Sequence, residues 1–361
     1  MKTITVSTPG RICLFGEHQD YLNLPVIPMA INLRVKITGI PRKDKKFILD
    51  LPDINKVETI EFSNDKELTY TNKRDYFRSI YNVLRRNGYK WTNGWDCEVR
   101  GKIPIRSGTS SSSALNNVWC KFLAEASASG NKKISNRKIA EFSYLAEVVE
   151  FDEAGGQMDQ YSTALGKILF LEFAEKLMIT PLPADLGYFV LGDSLEPKNT
   201  QKILSETKAP ALSGMAKLKQ KIPNINFKDI ELLHLTENNY VLSEKEAKVL
   251  ESVIQNRQIT KEAKHELQKK TTDKKKIGEL LSKHHYYLNN NLNISTPKIN
   301  KMINAALDAG AFGAKINGSG GGGCMFAFAP HNPDEVAKAI EKAGGKAYII
   351  QVGEGLKIEI D

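Results

Sequence analysis

Cysteine is scarce in this sequence, and long apolar runs are missing from it. The 361 residues include only four cysteines, Cys13, Cys97, Cys120 and Cys324, and no two of them form a CxxC pair. This spacing argues against a zinc site or a disulfide framework and fits a reducing cytoplasm. No run approaches the ~20 apolar residues that a membrane-spanning helix needs, and the first residues lack the apolar core of a signal peptide. We therefore expect a cytoplasmic protein that does not enter a membrane.

The excess of positive charge does not have the form of a nucleic-acid-binding surface. The formal net charge is +9, and much of the excess lies between Lys261 and Lys283, where acidic residues are mixed with the lysines. Such mixing is typical of solvent-exposed helix faces, and the segment lacks interleaved aromatic residues for base stacking. We expect no nucleic-acid partner. The positive charge favours anionic substrates only through weak long-range attraction.

Length and periodicity predict an α+β protein with two domains. A chain of this length exceeds what one hydrophobic core usually serves. Residues 1 to about 100 contain mainly strand-like segments, whereas helical periodicity dominates the second half of the chain. Pro181 and Pro183 interrupt regular structure between the halves. We expect domains over residues 1–180 and 181–361.

Local breaks in periodicity divide several of the predicted elements. Strands are expected over residues 4–6 and 12–15, on either side of Pro9-Gly10. A helix is expected from residue 136 to about 150, beginning after Ser135. In the second half, residues 199–206 and 210–222, and again 244–255 and 260–270, are expected as separate helices.

A dense polar cluster follows the first strand-like segment. Arg11, Glu17, His18 and Asp20 lie within ten residues of one another. Bringing one guanidinium, two carboxylates and an imidazole to one place is costly unless these groups are paired or bind something. Because carboxylates accept hydrogen bonds from adjacent hydroxyls, the cluster favours a polyhydroxylated ligand. A surface turn closed by an Arg–Glu pair is the alternative.

A run of small residues leads directly into a helix that is predicted to begin near residue 112. The run consists of Arg106, Ser107, Gly108, Thr109, Ser110, Ser111, Ser112 and Ser113. Unpaired N–H groups at a helix start suit a polyphosphate, and a serine hydroxyl there can ligate a Mg²⁺ ion. The Gly-Lys-Ser/Thr sequence of a Walker loop is absent, so backbone, hydroxyls and metal must meet the phosphate charge. A flexible linker or a helix cap is the alternative.

Two carboxylates further along the chain complete the predicted chemistry. Asp159 follows the turn Gly155-Gly156 and is the candidate general base for a substrate hydroxyl, with Arg11 keeping it ionised if the fold brings them together. Glu147, on a predicted helix, is the candidate second ligand of Mg²⁺. An ordinary turn residue and an exposed helix carboxylate are the alternatives.

Five glycines in the stretch Gly318–Gly323 form the third unusual segment. Such a run indicates that the backbone approaches another segment or a ligand closely, or that it repeatedly adopts positive φ angles. A flexible linker is disfavoured, because a strand-like segment follows immediately at Cys324.

Together and in this order, the three segments resemble the GHMP kinase superfamily. The first, with the form PGRxxLxGEHxDY, resembles the galactokinase signature, and the resemblance extends over essentially the whole chain. It implies an N-terminal domain of the ribosomal protein S5 domain 2-like type, a ferredoxin-like C-terminal domain, and an active site between them. It also implies ATP- and Mg²⁺-dependent phosphorylation of the C1 hydroxyl of galactose or a related monosaccharide.

The resemblance also implies roles for individual residues. Arg11 and Asp159 match the catalytic arginine and aspartate of the family. Ser112 and Glu147 match its magnesium ligands, and the run from Arg106 to Ser113 matches the loop around the nucleotide phosphates. The residues that match the family's sugar contacts are Glu17, His18, Asp20 and Gly156.

Departures from the family pattern leave the acceptor open. Thr109 and Ser113 replace the usual leucine and alanine, Gln157 replaces an aliphatic residue, and Gly192–Thr200 is closer to mevalonate-type members. The alternatives are a kinase for an N-acetylhexosamine, a uronic acid, arabinose or mannose, and a sugar sensor without catalysis. A mevalonate-type acceptor is disfavoured, because two carboxylates of the polar cluster would face its carboxylate. The sequence does not fix an oligomeric state, and a monomer is compatible with it.

Overall fold

The structure, a computed structural model, describes residues 3–105, 107–128, 134–153, 155–173, 176–197 and 200–360. The strands in these ranges form an eight-stranded and a four-stranded sheet. The strands are β1 Ile4–Phe15, β2 Ile27–Pro41, β3 Lys46–Leu51, β4 Lys56–Glu61, β5 Trp95–Gly101, β6 Ile168–Phe173, β7 Leu177–Leu182, β8 Phe189–Asp193, β9 Gly313–Ile316, β10 Cys324–Phe328, β11 Lys346–Ile350 and β12 Lys357–Ile360. The helices are α1 Tyr76–Arg86, α2 Ser111–Ala126, α3 Asn136–Tyr144, α4 Met158–Leu165, α5 Thr200–Lys219, α6 Leu232–Glu237, α7 Glu244–Leu267, α8 Lys274–Asn290, α9 Pro297–Asp308 and α10 Pro333–Lys342.

The larger sheet carries the N-terminal polar cluster at the end of its longest pairing. Its main order is β12-β1-β2-β5-β3-β4, and β6 and β7 extend it from β2. Strands β1 and β2 pair antiparallel, with register shifts between Pro9 and Arg11 and between Cys13 and Phe15. A bulge re-aims the side chains around it, and here it lies next to Arg11. The last strand, β12, pairs with β1, so the chain ends in the sheet in which it began.

The smaller sheet has the ferredoxin-like arrangement expected from the resemblance. Its order is β11-β8-β10-β9, and all of its pairs are antiparallel. With α9 and α10 between the strands in the chain, this is a β-α-β-β-α-β unit with strand order 4-1-3-2. Helices α5 to α8 form an insertion after β8. The predicted α+β class is therefore confirmed, whereas the division at residue 180 stays a prediction.

Several predicted boundaries are wrong, and each has a local physical reason. The two strands expected near the N-terminus are one, β1, because the bulge accommodates Pro9. A strand, β7, runs through Pro181, which is tolerated because β7 is an edge strand that, among the residues the structure describes, pairs only with β6. Two expected helices are one helix, α7, because no glycine or proline lies between them.

The helix α5 is also continuous where two helices were expected. It contains Pro210 in its interior, although proline removes a helix hydrogen bond and favours a break. Asn199, where the first of these helices was expected to begin, lies outside the described residues. Within the part of the chain that the structure describes, no helix combines the length and the apolar character required of a membrane span.

Candidate active site

A cleft of about 820 Å³ lies where the three sequence segments meet. Its lining includes the N-terminal polar cluster and apolar side chains of the larger sheet, among them Val35, Leu51 and Val99. The first turn of α2 also lines the cleft. The sequence-predicted site residues that line it are Arg11, Glu17, His18, Asp20, Ser107, Gly108, Ser110, Ser111, Ser112, Ser113, Glu147, Gly156 and Asp159.

Arg11 and Asp159 are hydrogen-bonded although 148 residues separate them in the chain. The Asp159 Oδ1 atom lies 2.9 Å from Arg11 Nε and 2.7 Å from a terminal nitrogen of the same guanidinium. Arg11 also donates to the carbonyl oxygen of Gly108, in the run of small residues 107–113 that is predicted to surround the nucleotide phosphates and is named the phosphate loop for that reason. Asp159 is on the first turn of α4, rather than in a loop. A buried guanidinium therefore fixes a partly exposed carboxylate next to the phosphate loop.

Asp20 lies beside this pair and is held in place by the backbone. Its Oδ1 accepts a hydrogen bond of 2.9 Å from the N–H of Tyr21, and its Oδ2 lies against Gly156. Burial and the neighbouring Asp159 carboxylate raise the pKa of Asp20 to about 6. The carboxylate is thus ionised above pH 6 and can accept hydrogen bonds from hydroxyl groups in the cleft.

The phosphate loop is organised by its own hydroxyls up to the first turn of α2. Ser107 Oγ donates to the carbonyl of Pro104 at 2.8 Å and lies 3.0 Å from the hydroxyl of Thr109. Ser110 adopts a left-handed conformation before the helix, and its buried hydroxyl finds no partner among the described residues. This hydroxyl and the unpaired N–H groups of the helix start suit phosphate oxygens. Arg106 lies outside the described residues.

Glu147 lies buried beside the start of α2, in a π-helical segment, Leu145–Val149, that continues α3. Its carboxylate accepts a hydrogen bond of 2.7 Å from Gln160 Nε2. Burial raises its pKa, and hydrogen bonds from Ser113, Gln160 and Ser112 oppose that shift. A carboxylate next to serine hydroxyls is a donor set of hard oxygens, which fits Mg²⁺. The remaining ligands of such an ion would be phosphate oxygens and water.

The glycine-rich segment packs directly on the phosphate loop through Asn317. Its side chain accepts from the N–H of Cys13 and donates to the carbonyl of Gly108, each at 2.9 Å. At Gly318, where φ is +76°, an added Cβ would lie 2.9 Å from the same Gly108 carbonyl oxygen. Only glycine combines this conformation with such an approach. The third segment therefore supports the phosphate loop through its contacts with Gly108.

Sequence reasoning missed three charged residues in or beside the cleft, Arg74, Glu153 and Lys315. Arg74, whose φ is +63°, forms two hydrogen bonds to Glu153, and both side chains line the cleft near Glu147. Lys315, fully buried, forms an ion pair with Glu17. Neither pair has a local sequence signal, because the partners are 79 and 298 residues apart.

Three family models match separate parts of the chain. Residues 1–39 match the galactokinase galactose-binding signature, residues 75–167 the GHMP kinases N terminal domain, and residues 263–348 the GHMP kinases C terminal model. The three matches fall on the three parts of the chain that surround the cleft.

Relatives named as two different kinases are similar to this chain. The mevalonate kinase of Thermococcus onnurineus is 30% identical, with 99% of this chain and 98% of the relative covered. The galactokinase of Haemophilus influenzae is 27% identical, with 98% and 94% covered. The crystal structure of Lactococcus lactis galactokinase complexed with galactose superposes with a TM-score of 0.81 at 22% identity, covering 98% and 95% of the two chains.

Proposed function

The chain belongs to the GHMP kinase family of ATP-dependent phosphotransferases, and on that premise we propose that its acceptor is a monosaccharide. The proposed reaction transfers the γ-phosphoryl group of ATP to the C1 hydroxyl of galactose or a related sugar. The acceptor oxygen forms a bond to the γ-phosphorus, the bond from that phosphorus to the β-bridging oxygen breaks, and ADP leaves. The hydroxyl proton passes to Asp159 or through it to solvent.

The observation that carries this proposal is the position of Asp20. Its carboxylate lines the cleft beside Gly156 and the ion pair of Arg11 with Asp159. An ionised carboxylate only accepts hydrogen bonds, so Asp20 suits a ligand rich in hydroxyl groups and repels a carboxylate. The match of residues 1–39 to the galactose-binding signature supports the same class of acceptor.

The proposed roles in transfer follow from the contacts of the site. Asp159 orients the acceptor hydroxyl and takes its proton, while Arg11 keeps Asp159 ionised and adds positive charge beside the transferred group. The start of α2 and its hydroxyls hold the phosphates. Ser112 and Glu147 would hold Mg²⁺, which neutralises charge on the β- and γ-phosphates when it is bound. The apolar side chains of the larger sheet that line the cleft provide a surface for the adenine base of ATP.

The mevalonate-type acceptor is the second candidate, because relatives with that name match the chain over its full length. The sequence disfavours this acceptor because Glu17 and Asp20 would face its carboxylate, but in the fold Glu17 is neutralised by Lys315. Asp20 alone therefore argues against a carboxylate-bearing acceptor. Its pKa of about 6 leaves it charged at neutral pH.

The test is ADP release from the purified chain with MgATP and a panel of acceptors. The panel contains galactose, N-acetylhexosamines, uronic acids, arabinose, mannose and mevalonate, and ³¹P NMR identifies the phosphorylated oxygen. Turnover of a sugar with a 1-phosphate product supports the proposal. Turnover of mevalonate alone contradicts it, and sugar binding without ADP release would instead indicate a sensor.

A further inference from the structure

We propose that Glu17 and His18 are positioning residues that hold the glycine-rich turn, and that Lys315 fixes Glu17 in this role. The inference rests on the proposed function and deepens it. Of the three residues Glu17, His18 and Asp20, it leaves only Asp20 to bind the hydroxyl groups of the acceptor. Glu17 and His18 line the cleft, but each of them forms a hydrogen bond to the backbone of the segment that follows β9.

Both carboxylate oxygens of Glu17 are engaged by the protein. Oε2 forms the ion pair with Lys315, whose ammonium group also donates to the carbonyl of Cys13 at 3.0 Å. Oε1 accepts from the N–H of Gly318 at 2.5 Å. The two side chains are 2% and 0% exposed. A buried carboxylate with a counter-ion and two donors has little remaining capacity to bind a sugar hydroxyl.

Both ring nitrogens of His18 are engaged as well. Nε2 lies 3.1 Å from the carbonyl oxygen of Ser319, which can only accept, so Nε2 carries the proton. Nδ1 then accepts from the hydroxyl of Tyr21 at 3.0 Å or of Thr207 at 3.2 Å. Two neighbouring residues after β1 therefore bind two neighbouring residues of the glycine-rich turn. Glu17 accepts from the N–H of Gly318, and His18 donates to the carbonyl of Ser319.

These hydrogen bonds restrain the turn that packs on the phosphate loop, rather than the residues that we assign to the acceptor. Gly318 packs against the carbonyl of Gly108, and Asn317 bonds to that same carbonyl. The N–H of Cys324, at the far end of the glycine run, donates to the carbonyl of Ser107 at 2.8 Å. Loosening the turn should therefore disturb the loop that we assign to the ATP phosphates.

The experiment uses Glu17→Gln, Lys315→Met and the double variant that combines these two changes. Asp20→Asn is measured beside them for comparison. The affinity for an ATP analogue is measured by calorimetry in the presence of Mg²⁺ and without acceptor, and the KM for acceptor is measured separately. Glu61→Gln is the matched control, since it removes the carboxylate of an exposed Glu–Lys pair. Such a surface pair contributes little to stability.

We expect Glu17→Gln and Lys315→Met to weaken nucleotide binding or lower kcat by about tenfold or more, because small misplacements of a bound group are costly. Acceptor KM should change by less than about threefold in Glu17→Gln, whereas Asp20→Asn should raise it by about tenfold or more. Glu61→Gln should match the parent chain.

The double variant tests the pairing itself and guards against misfolding. Lys315→Met leaves the Glu17 charge buried without a partner, so it is expected to be the least stable variant. Adding Glu17→Gln removes that charge, so the double variant should recover Tm and nucleotide affinity from the level of Lys315→Met to the level of Glu17→Gln alone, giving a non-additive cycle. An additive cycle overturns the role of Lys315, and a raised acceptor KM with normal nucleotide affinity in Glu17→Gln overturns the positioning role. Since nucleotide affinity is read without acceptor, failure of the sugar assignment leaves this result interpretable.

Discussion

The contact between Gly156 and Asp20 gives a sharp prediction for the acceptor site. In Gly156→Ala, the new methyl carbon would lie 2.9 Å from Cβ of Asp20 and closer still to its carboxylate atoms. Real Cβ atoms do not approach other atoms so closely, so Asp20 must rotate or α4 must shift. Overpacking of this kind costs about 1–3 kcal/mol, and it falls on the carboxylate that we assign to the acceptor.

The expected size of the effect follows from the bond that is lost. A hydrogen bond to a charged group contributes about 1.5–3 kcal/mol, which corresponds to about 10- to 100-fold in affinity. Gly156→Ala should therefore raise acceptor KM by that factor and leave KM for ATP within about twofold of the parent value. Initial rates over a matrix of acceptor and MgATP concentrations separate the two constants.

The neighbouring glycine provides the matched control. In Gly155→Ala the added Cβ meets only Val148, at 3.7 Å, which is ordinary van der Waals contact. This variant should bind acceptor like the parent chain. An unchanged acceptor KM in Gly156→Ala, or an equal rise in both variants, would refute the assignment of Asp20 to the acceptor.

Three further predictions concern the charged groups of the cleft. Asp159→Asn keeps the shape and an acceptor for Arg11, so it should fold normally while kcat falls by about 10²- to 10⁴-fold; near-normal turnover would exclude a general base. Glu147→Gln should raise the Mg²⁺ concentration needed for half-maximal rate by about tenfold or more, since one charged oxygen ligand is lost; an unchanged requirement in a metal titration would exclude it as a ligand. The acceptor KM should rise as pH falls through about 6, where Asp20 becomes protonated, and Asp20→Asn should abolish that dependence.

Local pattern was sufficient for much of the fold and for the composition of the cleft. The small residues before α2, the glycine turn before Asp159 and the glycine run after β9 each carry a backbone requirement that can be recognised without a structure. The condition that Arg11 and Asp159 meet is satisfied in the fold. Their roles, and those of Ser112 and Glu147, stay predictions.

The partners of the charged groups were not predictable, because they depend on how the two sheets face each other. Nothing in the sequence around Lys315 distinguishes a buried ion-pair partner from an exposed lysine, and Glu17 reads as a hydroxyl acceptor until Lys315 is in place. Arg74 likewise precedes α1 as an ordinary polar residue, and only the fold brings Glu153, 79 residues further along the chain, to it. Side-chain identity therefore indicated which chemistry was present, but not which groups were already paired.

Asp20 shows the cost of leaving one carboxylate of this cluster without an ion-pair partner among the described residues. Its folded-state pKa, about 6, lies above its ordinary value of 3.8, so between these values the folded chain binds more protons than the unfolded chain. The contribution of this group to stability therefore falls as pH rises from about 4 to about 6, and it stays unfavourable above that. Asp20→Asn should raise Tm at pH 8 relative to the parent chain and lose that advantage at pH 4.

The opposite sign is expected at Asp44, whose pKa is lowered by its hydrogen bonds to Arg42. Asp44→Asn should slightly lower Tm at pH 8, and scanning calorimetry of both variants at the two pH values compares them directly. If Asp20→Asn destabilises the protein at pH 8, its carboxylate is satisfied in the folded state and is not held ready for a ligand. If Asp20→Asn instead gains stability and loses affinity for the acceptor, the carboxylate serves binding at a cost to folding. The hydroxyl groups of the ligand then supply hydrogen-bond donors that the folded protein does not provide to Asp20.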